Sequence, residues 1–265
     1  MCGIAGVAGA RATEDAPIVE RMLERLIHRG PDAGGIDRLD GCVLGHRRLS
    51  IIDVDHGDQP LRNERRTVSV VANGEIYNHQ EIRKRLAGHE WATGSDCEAI
   101  VHLYDEHGAD CVDHLRGMFA FSLWDADRSR LILARDRFGK KPLYWCERAG
   151  RLIFASELAA LVEHPLVERE PDPKALDMYF GLQYVPAPLT AYRGVFSLEP
   201  GHILTFERGA ESVPRGRIPE PEGSVIRAGD DPASVGAHCR RSDLVLMAFE
   251  RGTDSLPRRR TCLSP

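Results

Sequence analysis

The sequence has no apolar run approaching the ~20 residues that a membrane-spanning helix needs. No basic residue precedes its N-terminal apolar stretch, Met1-Cys2-Gly3-Ile4-Ala5-Gly6-Val7, so no secretory signal is expected and a cytoplasmic protein is. Positive charge is not in excess: 35 Lys and Arg stand against 40 Asp and Glu, a formal charge of -5, which argues against a polybasic nucleic-acid binder. The arginines at 258–260 read as a solvated charge run. The 7 cysteines are odd in number, scattered, and never in a Cys-x-x-Cys pair. Neither a disulfide framework nor a zinc ribbon is therefore expected. Most of these cysteines read as small buried hydrophobes, and no metal site is expected.

With 42% hydrophobic and 28% charged residues the chain is a soluble globular one by composition. Up to about Arg208, short β-branched runs alternate with amphipathic stretches, the pattern of a mixed α and β domain. Strands are expected at 3–8, 42–46, 68–72, 119–124, 131–134, 143–145 and 152–155. Ile18, Met22, Leu23, Leu26 and Ile27 predict a helix capped by Asp15, and Ile100, Leu103 and Tyr104 another after Asp96. A third is expected at 173–181. The boundary of this domain, 2–208, is set by a change of character: 209–265 is rich in Gly, Pro, Arg and Ser and has one sustained apolar run, 244–249. That tail reads as disordered, or as a truncated or frame-shifted remnant.

Cys2 followed by Gly3 is the first chemical feature. A small residue after Met1 permits removal of the initiator, which leaves a thiol and an α-amine of pKa about 8 on one residue, nucleophile and base together. The two arginines of the run Gly45 to Asp53, Arg47 and Arg48, either are solvated edge-strand arginines or supply one fork for a substrate carboxylate. Asn73-Gly74 is either a turn or an oxyanion site made of a side-chain amide and a backbone N–H. Asp96, in Ser95-Asp96-Cys97-Glu98, either caps a helix or receives a substrate ammonium group. The segments His28 to Asp32 and Arg135 to Gly139 read as charged turns that frame a site.

Taken together and in order, these segments resemble the glutaminase domain of asparagine synthetases, a class II glutamine amidotransferase of the N-terminal-nucleophile hydrolase type. Gly117-Met118-Phe119-Ala120-Phe121 and Ala155-Ser156-Glu157 also look like that family. Sister enzymes acting on sugar phosphates or phosphoribosyl pyrophosphate generally carry an aromatic or Tyr-Ser-Thr run after the site arginine. Here Leu49-Ser50-Ile51-Ile52 follows, which favours the asparagine branch. The resemblance implies an α+β fold, a four-layer α-β-β-α sandwich. It implies Cys2 as nucleophile and Asn73 and Gly74 as oxyanion donors. It gives Arg48 and Asp96 to the α-carboxylate and α-ammonium of L-glutamine, with Leu49, Ser50, Ile51, Ile52 and Glu75 lining the pocket.

No cofactor is expected for the glutaminase step. In the family, ATP and Mg serve a second, synthetase domain whose Ser-Gly-Gly-x-Asp-Ser-Ser string is not found in this sequence. The expected partners are L-glutamine and a separate synthetase domain or other ammonia acceptor, with a homodimer as a further possibility; neither nucleic acid nor membrane is among them. Two other readings stay open: a catalytically idle stranded domain, and the glutaminase half of a different amide-forming amidotransferase.

Overall fold

The first strand, β1 (Gly3–Gly9), is buried along its whole length. Ile4 and Ala8 join one apolar cluster while Ala5 and Val7 join another, as the two-residue period of a strand covered on both faces requires. The pattern recurs along the chain, which this computed structural model describes over residues 1–207 and, for the backbone, 213–216. After β1 come α1 (Ala16–Glu24), β2 (Ala33–Leu39), β3 (Cys42–Arg48), β4 (Leu61–Arg62), β5 (Val68–Ile76), α2 (His79–Arg85) and α3 (Ala99–His107). They are followed by β6 (Gly117–Asp125), β7 (Arg130–Arg135), β8 (Tyr144–Arg148), β9 (Arg151–Ala155) and α4 (Leu158–Leu161). The described part ends with α5 (Pro173–Leu182), β10 (Phe196–Ser197), β11 (His202–Glu207) and β12 (Val213–Gly216).

The strands form two six-stranded antiparallel sheets, in the orders β10-β8-β9-β1-β3-β2 and β12-β11-β7-β6-β5-β4. Between them, Ile4, Leu44 and Phe154 of the first sheet share a core with Val71, Trp124 and Leu133 of the second. Outside the first sheet, Val19 and Met22 of α1 share a core with Val7, Val43 and Ile153. Outside the second, Ile100, Leu103 and Tyr104 of α3 cluster with Val70, Ala72 and Phe121. The result is the expected four-layer α-β-β-α sandwich.

Local details differ from the sequence expectation where tertiary partners outbid local ones. Helix α1 ends at Glu24, and Leu26 reaches its core from the turn beyond. Asp15 does not cap α1 with its side chain; Arg151 donates two hydrogen bonds to that carboxylate, at 3.1 and 2.8 Å. By contrast Asp172 does cap α5, accepting from the N–H groups of Lys174 and Ala175. Strand β2 was not legible in Ala33-Gly34-Gly35-Ile36-Asp37, which lacks an apolar alternation; it forms because β3 offers it a seven-residue antiparallel partner. Beyond Arg208, residues 213–216 pair with β11 as strand β12. The other residues of 209–265, and with them the tail expected to be disordered, lie outside the described residues.

His46 ties the two sheets together. It is fully buried on β3, and its Nε2–H donates to the Ala72 carbonyl of β5 at 3.1 Å. Burial pushes this imidazole down to about 4, so it stays neutral in the fold at pH values where an unfolded chain would protonate it near 6.5. Stability is therefore insensitive to this group above pH 6.5 and is lost as pH falls from 6.5 toward 4, by up to about 1.4 kcal/mol per pH unit. Denaturant unfolding at pH 7 and pH 5 measures the slope. In His46→Gln, which keeps a donor for Ala72 and cannot titrate, the slope is expected to be shallower; an unchanged slope would remove His46 as its source.

Candidate active site

Cys2 lies immediately before β1, and three of the motif segments hold it there. Arg29 Nε donates to the Cys2 carbonyl at 2.9 Å, and Arg29 is itself paired with Glu157 at 2.8 Å. Ser156 and Ile4 exchange two hydrogen bonds: Ser156 N–H donates to the Ile4 carbonyl at 2.8 Å, and Ile4 N–H to Ser156 Oγ at 3.0 Å. The chain reaches Arg29 past Gly30, where a Cβ would lie 2.4 Å from the Arg47 carbonyl oxygen; glycine alone allows that approach. The Leu49 N–H points at the Cys2 sulfur at 3.4 Å.

Cys2 is half-buried, whereas the other cysteines among the described residues, Cys42, Cys97, Cys111 and Cys146, are buried. Desolvation raises Cys111 and Cys146 to about 12 and takes Cys42 and Cys97 well above the ordinary thiol range. Buried thiols of that kind are inert. Cys2 is thus the one thiol of the described set open to a ligand.

Asn73 and Gly74 are not a turn. Both sit inside β5, opposite Ala120 and Phe119 of β6, within a pairing that runs from Val68 to Ile76. A long partner strand overrides the local turn preference of Asn-Gly. Gly74 is needed for closeness rather than for bending: a Cβ there would stand 2.2 Å from the Met118 carbonyl oxygen. Asn73 is 1% exposed, and its Nδ2 has no hydrogen-bond partner. The strand is held firmly at this point. Strand β4 pairs with β5 only at Ser69 and Val70, and the side-chain amide of Gln59 takes over the edge at Ala72. It accepts from Ala72 N–H at 2.6 Å and donates to the Ala72 carbonyl at 3.2 Å. Gln59 carries no signal in the sequence, because its role exists only once β5 is alongside.

Arg48 ends β3 and is buried. Its Nη1 donates to the Val54 carbonyl at 3.0 Å and to Asp58 at 2.8 Å, and its Nη2 to the carbonyls of Ile52 at 3.0 Å and Asp53 at 2.5 Å. Neither a solvated arginine nor a free fork, it clamps the loop 49–58. Asp96 opens a short 3₁₀ turn ahead of α3 and does not cap it; the buried carboxylate accepts from Ile76 N–H, at the end of β5, at 2.6 Å.

Most of the expected site residues converge on one cleft of about 170 Å³, comparable to a cavity of ~150 Å³ that holds benzene and so sized for a small molecule rather than a polymer. Cys2, Arg48, Leu49, Ile51 and Ile52 line one part of it, and Asn73, Gly74, Glu75 and Asp96 another. Ser50 is the exception: it is not among the lining residues, and its N–H donates to Asp32 at 2.8 Å. Lys141, absent from the sequence-derived set, lines the cleft and is 6% exposed. The turn that delivers it is organised by buried Asp136, which accepts from the N–H groups of Phe119, Phe138, Lys140 and Lys141. Met1 also lines the cleft, its Sδ 3.4 Å from Lys141 Nζ.

Over residues 1–215 the chain matches the family model described as a glutamine amidotransferase domain. It is 35% identical over 242 residues to glutamine-hydrolyzing asparagine synthetase 3 of Bacillus subtilis, covering 89% of this chain and 39% of that protein. It is 50% identical over 166 residues to glutamine-hydrolyzing asparagine synthetase 2 of Arabidopsis thaliana, covering 61% of this chain and 28% of that one. The chain thus spans well under half the length of these relatives. Among solved structures, the glutamine phosphoribosylpyrophosphate amidotransferase of B. subtilis superposes with a TM-score of 0.55 at 19% identity, covering 81% of this chain and 49% of that one, a likeness of fold. The family match extends over most of the chain, on the sandwich its sequence implied: the protein belongs to the class II glutamine amidotransferase domain family and has asparagine synthetases among its homologues.

Proposed function

We propose that this chain hydrolyses L-glutamine to glutamate and ammonia, with Cys2 as nucleophile, as the glutaminase part of an asparagine synthetase-like system. One observation carries the reading: the sole accessible thiol of the described residues shares a small cleft with Asn73, whose buried Nδ2–H has no acceptor. An unpaired buried donor costs about 1–3 kcal/mol. That cost is offset when an oxyanion forms in front of it, so the group binds the transition state better than the ground state.

In this mechanism Met1 is removed, which frees the α-amine of Cys2. The amine takes the thiol proton, sulfur adds to the side-chain amide carbon of glutamine, and Asn73 and the Gly74 N–H stabilise the oxyanion. Collapse breaks the C–N bond, the amine returns the proton to the leaving nitrogen, and ammonia departs from a γ-glutamyl thioester. Water then hydrolyses the thioester to glutamate. Asp96 faces the substrate ammonium, and Arg48, whose Nη groups are taken up by the loop 49–58, serves the α-carboxylate end through the loop that it clamps. These steps move protons and one acyl group and call on no cofactor; ATP and Mg would belong to a synthetase partner that consumes the ammonia.

The test is glutamate release from L-glutamine by purified full-length chain, with intact mass to establish Met1 removal. Folded, processed protein that releases none overturns the reading. Arg48→Lys is expected to raise KM about tenfold or more with a smaller change in kcat, because an ammonium cannot span the four acceptors that the guanidinium now serves. Steady-state kinetics separate the two constants.

The stranded-domain reading has one observation in its favour. Leu176, Tyr179, Phe180 and Leu182 of α5 and the following Tyr184 are exposed large hydrophobics. An apolar face of that kind is what a domain shows when its usual cover is elsewhere. The same assay decides between the two, since that reading allows glutamine binding without turnover.

A further inference from the structure

Away from the cleft, the fold brings together Glu64, His89 and His102, with one ligand atom of each within 4.8 Å of the others. They come from the turn between β4 and β5, the segment after α2, and α3 itself. Nothing in their sequence spacing announces a site.

The arrangement around the two imidazoles is specific. His89 Nδ1 lies 3.2 Å from Glu64 Oε1, while its Nε2 lies 3.0 Å from Glu106 Oε1. His102 is fully buried, its Nε2 pairs with Glu98 Oε1 at 3.5 Å, and its Nδ1 has no hydrogen-bond partner. The two rings are 4.9 Å apart, and Trp91 covers His102 at 4.3 Å. Glu64 is oriented by the Glu90 N–H, which donates to it at 2.6 Å. Two cations lie nearby: Arg83, 3.7 Å from Glu98 and stacked on Trp91, and Arg65, 3.6 Å from Asp105.

A neutral imidazole has one N–H and one lone pair, and an outer carboxylate decides which nitrogen carries the proton. With Glu106 3.0 Å from Nε2 of His89, that nitrogen carries the proton and the Nδ1 lone pair lies toward Glu64 Oε1; Glu98, 3.5 Å from Nε2 of His102, favours the same tautomer there. Carboxylate–histidine–metal relays have this form. The buried Nδ1 of His102, left without a hydrogen-bond partner, is otherwise an unexplained cost in a well-packed domain.

We propose that Glu64, His89 and His102 bind one divalent transition-metal ion of the zinc class, with Glu106 and Glu98 holding the imidazoles in the ligating tautomer. Two imidazoles and one carboxylate suit zinc, with water in the fourth position. The ion would join the β4–β5 turn to α3, whose preceding turn carries Asp96. Its role would be to brace that segment rather than to react.

The test uses metal-stripped full-length chain carrying Cys2→Ala, Cys239→Ser and Cys262→Ser, so that neither the accessible thiol of the described residues nor the two thiols of 209–265 can compete, with Zn²⁺ titrated calorimetrically and Tm measured with and without metal. One equivalent of zinc is expected to bind and to raise Tm. Glu106→Gln should weaken binding about 10- to 100-fold, and Glu64→Gln or His89→Gln by more. These three positions are not deeply buried, and circular dichroism checks that each variant folds. The proposal is overturned if the parent takes up no zinc, or if the folded variants bind it as tightly as the parent.

Discussion

Cys2→Ala is expected to abolish glutamate release from L-glutamine, by at least about 10⁴-fold, while leaving the fold intact. Loss of a covalent nucleophile has effects of this order or larger in enzymes whose groups act as a unit. No other described cysteine can stand in, because Cys42, Cys97, Cys111 and Cys146 are buried and their thiols are raised by desolvation. The alanine variant loses only the sulfur, together with its contacts to the backbone of Leu49 at 3.4 and 3.7 Å, so stability should change little. A companion form that retains Met1 is expected to be similarly inactive, since an acylated nitrogen is no base. Residual hydrolysis by Cys2→Ala near the parent rate would remove Cys2 from the mechanism. Activity in the Met1-retaining form would remove only the α-amine.

Asn73→Ala should lower kcat by about 10²–10³, or roughly 3–4 kcal/mol of transition-state stabilisation, with KM little changed. The stability outcome sets this apart from simple structural damage. A residue that is 1% exposed and serves as a structural anchor costs stability when truncated, but Asn73 Nδ2 has no partner to lose. Removing an unsatisfied buried donor relieves part of a desolvation cost, so Tm is expected to hold or rise while the rate collapses. Kinetics and thermal unfolding on the same sample give both numbers. A fall in both together would make Asn73 a structural residue of β5, and a rate within about threefold of the parent would deny it the oxyanion role.

The legible and illegible parts of this protein separate by the range of the interaction concerned. Strand β1, the apolar stretch of β5 and the helix at 173–182 were readable because alternation, a β-branched run and a Pro-initiated turn act within a few residues. Strand β2 was not, because its glycines carry no pattern and only the edge of β3 recruits them. The Asn73-Gly74 step shows the same contest within one dipeptide. Its local preference is a turn, and nine residues of β6 partner override it.

The site divides in the same way. By itself the sequence was enough to indicate the family, since Cys2, Arg48, Asn73, Gly74 and Asp96 are chemically distinctive types that stand in the order of a glutamine amidotransferase domain. Tertiary structure alone decided what each group does with its neighbours. Asp96 accepts from Ile76 N–H instead of capping, Arg48 closes a loop, and Ser50 turns away to Asp32. Gln59, Lys141, and the Glu64, His89 and His102 cluster became visible only there. The reason is physical. The functional group and its formal charge belong to a side chain, whereas desolvation and the reactivity it governs, hydrogen-bond pairing and metal geometry belong to groups that meet only when distant segments pack.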